Sequence, residues 1–276
     1  MPQGSKSVLT EGRNSQMNQA ERRKDLLKAL MEEQPDRCQN LETPSDEEGQ
    51  KRLLRALLNL RPPMDASEEL LRIQDEYLRE ELKQRKVTDA GALKEIRKGL
   101  VLWRGDITTL KCDAIVNAAN RALLGCFCPN HGCIDNAIHT FAGMQLRLAC
   151  RDIMLRQKHE EPAGMAKMTP AYNLPCRYVL HTVGPVVQGR VTQRDQELLA
   201  SCYRACLDLA DAHALGSVAF CCISTGEFHF PRDLAARIAV QTVCGHEAVR
   251  HQRIRVIFNV FKEQDEALYR RILTAD

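Results

Sequence analysis

The segment DAIVNAAN, residues 113–120, runs a short apolar stretch into a polar turn. The same construction recurs along the chain. LVLW (100–103), YVLHTV (178–183), VAFCCIS (218–224) and IRVIFNV (254–260) are short runs rich in Val, Ile and Leu. Helical patterns such as DNAIHTFAGMQLRLACRDIM (135–154) and QELLASCYRACLDLADAH (196–213) separate them. Strands that alternate with crossover helices imply parallel neighbours buried on both faces. The pattern predicts a three-layer α/β/α domain over residues 91–276, with a mixed, mainly parallel central sheet.

Ligands in such sheets bind in the crevice beyond the carboxyl ends of the strands. Three polar loops stand there. Asp106 and Ile107 follow LVLW, Asn117 to Asn120 follow AIV, and STGEFHFP follows VAFCCI. Three such loops near helix starts describe a cleft for phosphate and ribose groups.

Upstream, residues 1–16 are polar and patternless and are expected to be poorly ordered. Residues 17–90 read as a helical extension. Leu26, Leu27, Leu30 and Met31 repeat at helical spacing, and a second helix is expected from about Thr43–Asp46 to just before Pro62 and Pro63. A third starts at DASE, where Asp65 can cap and Glu68 can reach back, with a stripe through Leu70, Leu71, Tyr77, Leu78 and Leu82. Its Glu and Arg face reads as solvated surface. The extension is expected to serve packing, without chemistry of its own.

A hydrophobic fraction of 44% with 27% charged residues is that of an ordinary soluble domain. The formal charge of +3 is small and its residues are scattered, which argues against nucleic acid as a partner. No apolar run approaches the ~20 residues of a membrane span, and no basic-then-apolar leader opens the chain, so no membrane and a cytoplasmic location are expected. The 12 cysteines are irregularly spaced and several lie in apolar runs, which suits reduced, buried thiols. Only GCFCPNHGC, residues 125–133, clusters them tightly.

WRGDIT (103–108), DAIVNAANRALLG (113–125), CIDNAIHTFAG (133–143), YVLHTVGP (178–185) and ISTGEFHFP (223–231) resemble, in order, the motifs of macrodomains, which bind ADP-ribose. The resemblance covers about residues 95–272. It departs where many hydrolytic macrodomains carry a run of glycines after NAAN and this chain has CFCPNHG. There it resembles the zinc-dependent branch, which also carries an N-terminal helical extension and is associated with sirtuin-like ADP-ribosyltransferases that modify lipoyl-carrier proteins. The resemblance implies hydrolysis of mono-ADP-ribose from an acidic side chain of such a protein.

Thiolate sulfur and imidazole nitrogen are preferred zinc ligands, and a catalytic zinc keeps three protein ligands and one open position. Cys126, His131 and Cys133 form C-x4-H-x-C, while Cys128 is in reach and could replace Cys126 or close the site; the zinc-macrodomain pattern favours Cys126. Asp135 stands at a helix start, where a carboxylate favours the helix dipole; by resemblance it also faces the distal ribose as a catalytic residue, together with Asn120. The resemblance further assigns Asp106 to the adenine amino group, Ile107 to a backbone donor near that ring, and Ser224, Thr225, Gly226, Glu227 and Phe228 to the diphosphate loop. Asn117 joins the substrate-binding set, and Asn259 and Phe261 could flank adenine.

Each assignment has a plainer counterpart. Asp106 could cap a short helix, Asn117 and Asn120 could bond their own backbone in a turn, and Phe228 could be core. Glu227 should point away from a diphosphate. His181 reads as a hydrogen-bonded sheet histidine, and Cys202 and Cys206 as buried packing. The expected function is a zinc-dependent protein mono-ADP-ribosyl hydrolase. The alternatives are a non-catalytic ADP-ribose reader with structural zinc, or an O-acetyl-ADP-ribose esterase.

Overall fold

The structure is a computed structural model that describes residues 17–275, so the expectation of disorder for residues 1–16 falls outside the described residues. Helix α1 (Gln19–Glu32) begins where Asn18 and Glu21 exchange capping bonds. A short helix not foreseen from spacing, α2 (Pro35–Cys38), follows with Pro35 in its first turn, where a missing N–H is harmless. Asp46 caps α3 (Glu47–Leu60) by accepting the Gly49 N–H at 2.8 Å, and Pro62 and Pro63 follow its end. Helix α4 (Glu68–Gln84) departs from the DASE expectation. Ser67 is its cap, accepting the Leu70 N–H at 3.2 Å, while Asp65 pairs with Arg151 at 2.8 Å.

These helices bury a core of their own, in which Leu26, Leu30, Leu54, Leu57, Ile73 and Tyr77 meet and which Met144 of the following domain completes. Polar contacts fix the seam. The buried Arg147 guanidinium donates to the carbonyls of Leu58, at 3.0 Å, and Arg61 in the extension, and to that of Leu124 at 2.8 Å. Gln74 Oε1 accepts the Met144 N–H at 2.8 Å, and Asn59 Nδ2 donates to Thr140 Oγ1 at 2.9 Å.

The second part contains, in order, β1 (Thr88–Asp89), β2 (Glu95–Arg97), β3 (Leu100–Arg104), β4 (Leu110–Lys111), β5 (Ala114–Ala118), α5 (Ile134–Ala142), α6 (Met144–Gln157), β6 (Ala166–Pro170) and β7 (Tyr178–Thr182). After these come α7 (Gln193–Ala212), β8 (Ser217–Phe220), α8 (Arg232–Gly245), α9 (Glu247–Arg250), β9 (Arg255–Val260) and α10 (Glu263–Thr274). The main sheet has the order β2-β3-β9-β8-β5-β7-β6, and the pair β1-β4 stands apart. Because Thr88 already pairs with Leu110, the change from extension to sheet falls slightly before the expected residue 91.

Only the edge pairs β2–β3 and β6–β7 are antiparallel; the five central strands run the same way, so their carboxyl ends open on one edge. Alternation along β7 identifies the two helical layers. His181 meets Cys150 of α6, whereas its neighbour Thr182 faces Cys202 of α7. Helices α5 and α6 cover one face, and α7, α8 and α10 pack together on the other. The sheet core between them includes Ile115, Val179, Leu199, Val218, Phe220, Val256 and Phe258. Cys202 and Cys206 are fully buried in it, as packing alone requires.

Candidate active site

Strand register places the first site residues. Asn117 on β5 lies opposite His181 on β7, so both side chains project toward the layer of α5 and α6. Asp135, in the first turn of α5, meets them there. Asn117 Nδ2 donates to Asp135 Oδ1 at 2.8 Å and lies 3.2 Å from His181 Nδ1. Asn120 Nδ2 donates to Asp135 Oδ2 at 3.3 Å and to the Gly125 carbonyl at 3.0 Å, while its Oδ1 accepts the Ala122 N–H at 3.0 Å. Asn120 is thus both a turn residue and a carboxylate clamp; Asn117 belongs to the strand and does not cap a turn. Burial pushes the Asp135 carboxyl up to about 6, against the opposing pull of Asn117 and Arg147.

His139, one turn along α5, is buried and supports the same corner. A Cβ on Gly125 would come within 2.7 Å of its ring, and Gly125 has φ +80°, so this position needs glycine on both counts. His139 Nε2 lies 3.6 Å from Asp135 Oδ1, and among the described residues neither ring nitrogen has a hydrogen-bond partner. Burial, with His181 and Arg147 nearby, holds His139 well below the usual histidine range, and burial alone lowers His181 to about 4. His181 also bonds Thr169 Oγ1 at 2.9 Å, as expected of a sheet histidine.

These histidines give a stability dependence on pH with a definite sign. Their folded pKa values are depressed, so below about pH 6.5 the unfolded chain takes up protons that the folded chain refuses. Stability present above pH 6.5 is therefore lost toward pH 4, by about 3 kcal/mol for His181 alone. The raised Asp135 carboxyl works in the opposite sense and returns part of it. Urea midpoints measured from pH 7.5 to 4.5 are expected to fall, and a His181→Gln variant to show a shallower fall.

Between Asn120 and α5, the quoted cysteine loop folds back on itself. Cys126 Sγ is 3.6 Å from His131 Nδ1, and the ligand atoms of Cys126, His131 and Cys133 all lie within 4.8 Å of one another. Sulfur at 2.3 Å and nitrogen at 2.0–2.1 Å around a tetrahedral ion are separated by about 3.5 Å, so these donors fit zinc without rearrangement of that pair. Cys128 is exposed and outside the group; its carbonyl accepts from the His131 N–H at 3.3 Å and from Asn136 Nδ2 at 3.0 Å. Cys133 is also the N-cap of α5, its sulfur accepting the Asn136 N–H at 3.4 Å. Burial pushes its thiol up to about 12, which does not suit an unassisted nucleophile.

Glu227 reaches this loop from the other side of the cleft. Its Oε1 lies 3.6 Å from His131 Nε2, so the carboxylate points at the cysteine loop and not back over its own backbone. The loop that carries it leaves several polar groups open. Among the described residues the N–H groups of Gly226, Glu227 and Phe228 have no protein acceptor. Ser224 has φ +63°, and its buried Oγ is unpaired. Gly184 makes room for that hydroxyl, since a Cβ there would lie 1.9 Å from it. A Cβ on Gly226 would meet nothing within 4 Å, so packing does not demand glycine there. Phe228 is partly buried against Ala119, Leu123, Cys150 and Val183.

At the far end, Asp106 caps the 3-10 turn Ile107–Thr109 by accepting the Thr108 N–H at 3.0 Å. The Ile107 side chain is buried, which leaves only its backbone for a ligand. Asp106 Oδ2 is held by Arg85, whose guanidinium lies 3.5 Å over the Phe141 ring. Asn259 Nδ2 donates to the Gly105 carbonyl at 2.9 Å, and Phe261 is 74% exposed beyond the strand end.

Sequence reasoning gives no role to Arg85, Arg55, Asn59 or Asn136, and it reads His139 as a packed or partly exposed helix histidine, which the structure buries. Arg55 and Asn59 sit on α3, and Arg85 follows the end of α4, helices whose polar positions look like solvated surface. One signal was available for His139: an imidazole on the apolar face of α5, one turn after Asp135.

Residues 116–239 match the Macro domain family. A protein-ADP-ribose hydrolase of Treponema medium is 53% identical over 262 residues, covering 94% of this chain and all of that one. With that likeness, the chain belongs to the macrodomain family. A protein-ADP-ribose hydrolase of Staphylococcus aureus (strain Mu50 / ATCC 700699) is 50% identical over 235 residues, 84% of this chain and 88% of its own. Among solved structures, the Oceanobacillus iheyensis macrodomain with ADP superimposes with a TM-score of 0.57 at 36% identity, covering 63% of this chain and 89% of that one.

Proposed function

We propose that this chain is a zinc-dependent hydrolase that removes mono-ADP-ribose from modified protein side chains. The observation that carries it is the convergence of Asp135, its two asparagine clamps and the Cys126–His131–Cys133 donor set at one edge of the cleft. The names of its relatives, at about 50% identity, support hydrolysis of protein-linked ADP-ribose.

In this proposal the open amides of Gly226 to Phe228, with Ser224 and Thr225, receive the diphosphate, and Asp106 with the Ile107 backbone receives adenine. Asn120 orients the distal ribose. Asp135 takes a proton from the attacking water as its oxygen bonds to C1 of that ribose, and the bond from C1 to the side-chain oxygen breaks. The released carboxyl group leaves with its bonding electrons. A carboxyl titrating near 6 is a competent base at neutral pH. Cys126, His131 and Cys133 would hold zinc, which would supply Lewis-acid polarisation to the reaction.

The modified group is proposed to be an acidic side chain on a lipoyl-carrier-like protein, as the cysteine loop and helical extension suggest through their likeness to the zinc-dependent branch. The setting is proposed to be cytoplasmic; among the described residues no helix is long and apolar enough to cross a membrane.

The test is release of ADP-ribose from a mono-ADP-ribosylated protein by the chain as purified, after chelation, and after zinc is restored. Release is expected to vanish on chelation and return with zinc while circular dichroism stays constant. No release at any stage, with ADP-ribose still bound, would transfer the reading to a non-catalytic module.

A further inference from the structure

The cysteine loop does not hold its shape alone. Between Cys126 and Cys133, three of its backbone groups are fixed from outside. Arg55 Nη2, on α3 of the extension, donates to the His131 carbonyl at 3.0 Å. Asn59, one turn further along α3, is buried, and its Oδ1 accepts the Asn130 N–H at 3.0 Å. Arg55 also donates to Asn136 Oδ1 at 2.8 and 3.2 Å, which turns the Asn136 amide so that Nδ2 reaches the Cys128 carbonyl at 3.0 Å. A short loop with a left-handed residue at Asn130, φ +55°, is thereby held on both sides of the histidine.

We infer that α3 of the helical extension is a working part of the metal centre, with Arg55 as the positioning residue that keeps Cys126, His131 and Cys133 in ligand-ready geometry. The inference rests on the zinc reading of that loop. The physical effect follows from one forked side chain. Fixing the His131 carbonyl sets where the imidazole can point, and groups that orient metal ligands commonly matter 10- to 100-fold in affinity. Methionine at position 55 removes these contacts. Lysine restores one donor but not the forked contact to Asn136 and His131.

The test uses the full chain, stripped of metal and titrated with zinc against a chromophoric chelator, for the parent, Arg55→Met, Arg55→Lys and, as a control, Arg22→Met. Arg22 pairs with Glu76 elsewhere in the extension. Arg55→Met is expected to weaken zinc binding about 10- to 100-fold. It should also shift the visible spectrum of the cobalt-substituted chain, with Arg55→Lys in between and Arg22→Met unchanged. Thermal unfolding of the metal-free chains separates loss of positioning from loss of fold; should Arg55→Met unfold, Arg55→Gln carries the same comparison. Parent-like zinc affinity and cobalt spectrum in the neutral variant would overturn the role of Arg55 alone. A parent chain that takes up no zinc would overturn both this inference and the zinc reading beneath it.

Discussion

Cys133→Ser is expected to lower ADP-ribose release from a mono-ADP-ribosylated protein by about 10²-fold or more while leaving ADP-ribose affinity within about threefold of the parent. The substitution separates two jobs that one sulfur performs. Cys133 caps α5 by accepting the Asn136 N–H, and serine is among the best capping residues, so the helix start survives the change. Serine is a poor zinc ligand beside a thiolate, so the donor set is reduced to Cys126 and His131. Lewis-acid stabilisation worth several kcal/mol corresponds to at least two powers of ten in rate. The loops proposed to receive adenine and diphosphate, at Asp106 and at Ser224 to Phe228, lie elsewhere in the chain and are not touched by the change. Titration with ADP-ribose, zinc content and turnover, measured on the same preparation, check the three parts. Full turnover in a chain that has lost its zinc would exclude a catalytic metal.

What could be read in advance followed from backbone periodicity and from residues adjacent in sequence. The parallel sheet is legible because central strands are buried on both faces and so carry short apolar runs, as Ala114–Val116 of β5 and Val256–Phe258 of β9 do. The cysteine loop is legible because Cys126, His131 and Cys133 are close along the chain, whereas only the side-chain positions show Cys128 standing apart from that group. Contacts across long sequence separations were hidden. Arg55 meets Asn136 81 residues away, and Arg85 meets Asp106 from the end of a helix whose charged face looks like solvent-exposed surface. No local pattern distinguishes such an arginine from a solvated one. The cap of α4 was misplaced for a smaller reason: DASE offers two capping side chains within three residues, and Asp65 is drawn off by Arg151.

Asp135→Asn should divide activity from stability. Its rate is expected to fall about 10²- to 10⁴-fold, the range that a positioned general base contributes, with ADP-ribose still bound. The folded chain should lose no stability and gain up to about 2 kcal/mol at pH 7.5. The gain comes from the environment that suits the carboxylate to its task. Asp135 is 5% exposed, and the rise of its carboxyl to about 6, burial outweighing Asn117 and Arg147, corresponds to a net cost of about 3 kcal/mol for keeping it charged. Asparagine removes that charge at nearly constant volume. Its carbonyl keeps the 2.8 Å bond from Asn117, and its amide then faces the Asn120 amide, forfeiting the weaker 3.3 Å bond at a cost of about 1 kcal/mol. Urea unfolding and single-turnover release, run side by side, test the pair of outcomes. A destabilised variant would mean that the asparagine clamps serve the fold first. A stable variant with parent-like release would remove Asp135 from the reaction and leave the base to be sought elsewhere in the cleft. A stable, inactive variant is the expected pattern for a carboxylate kept buried and charged at the expense of stability because the reaction needs it there.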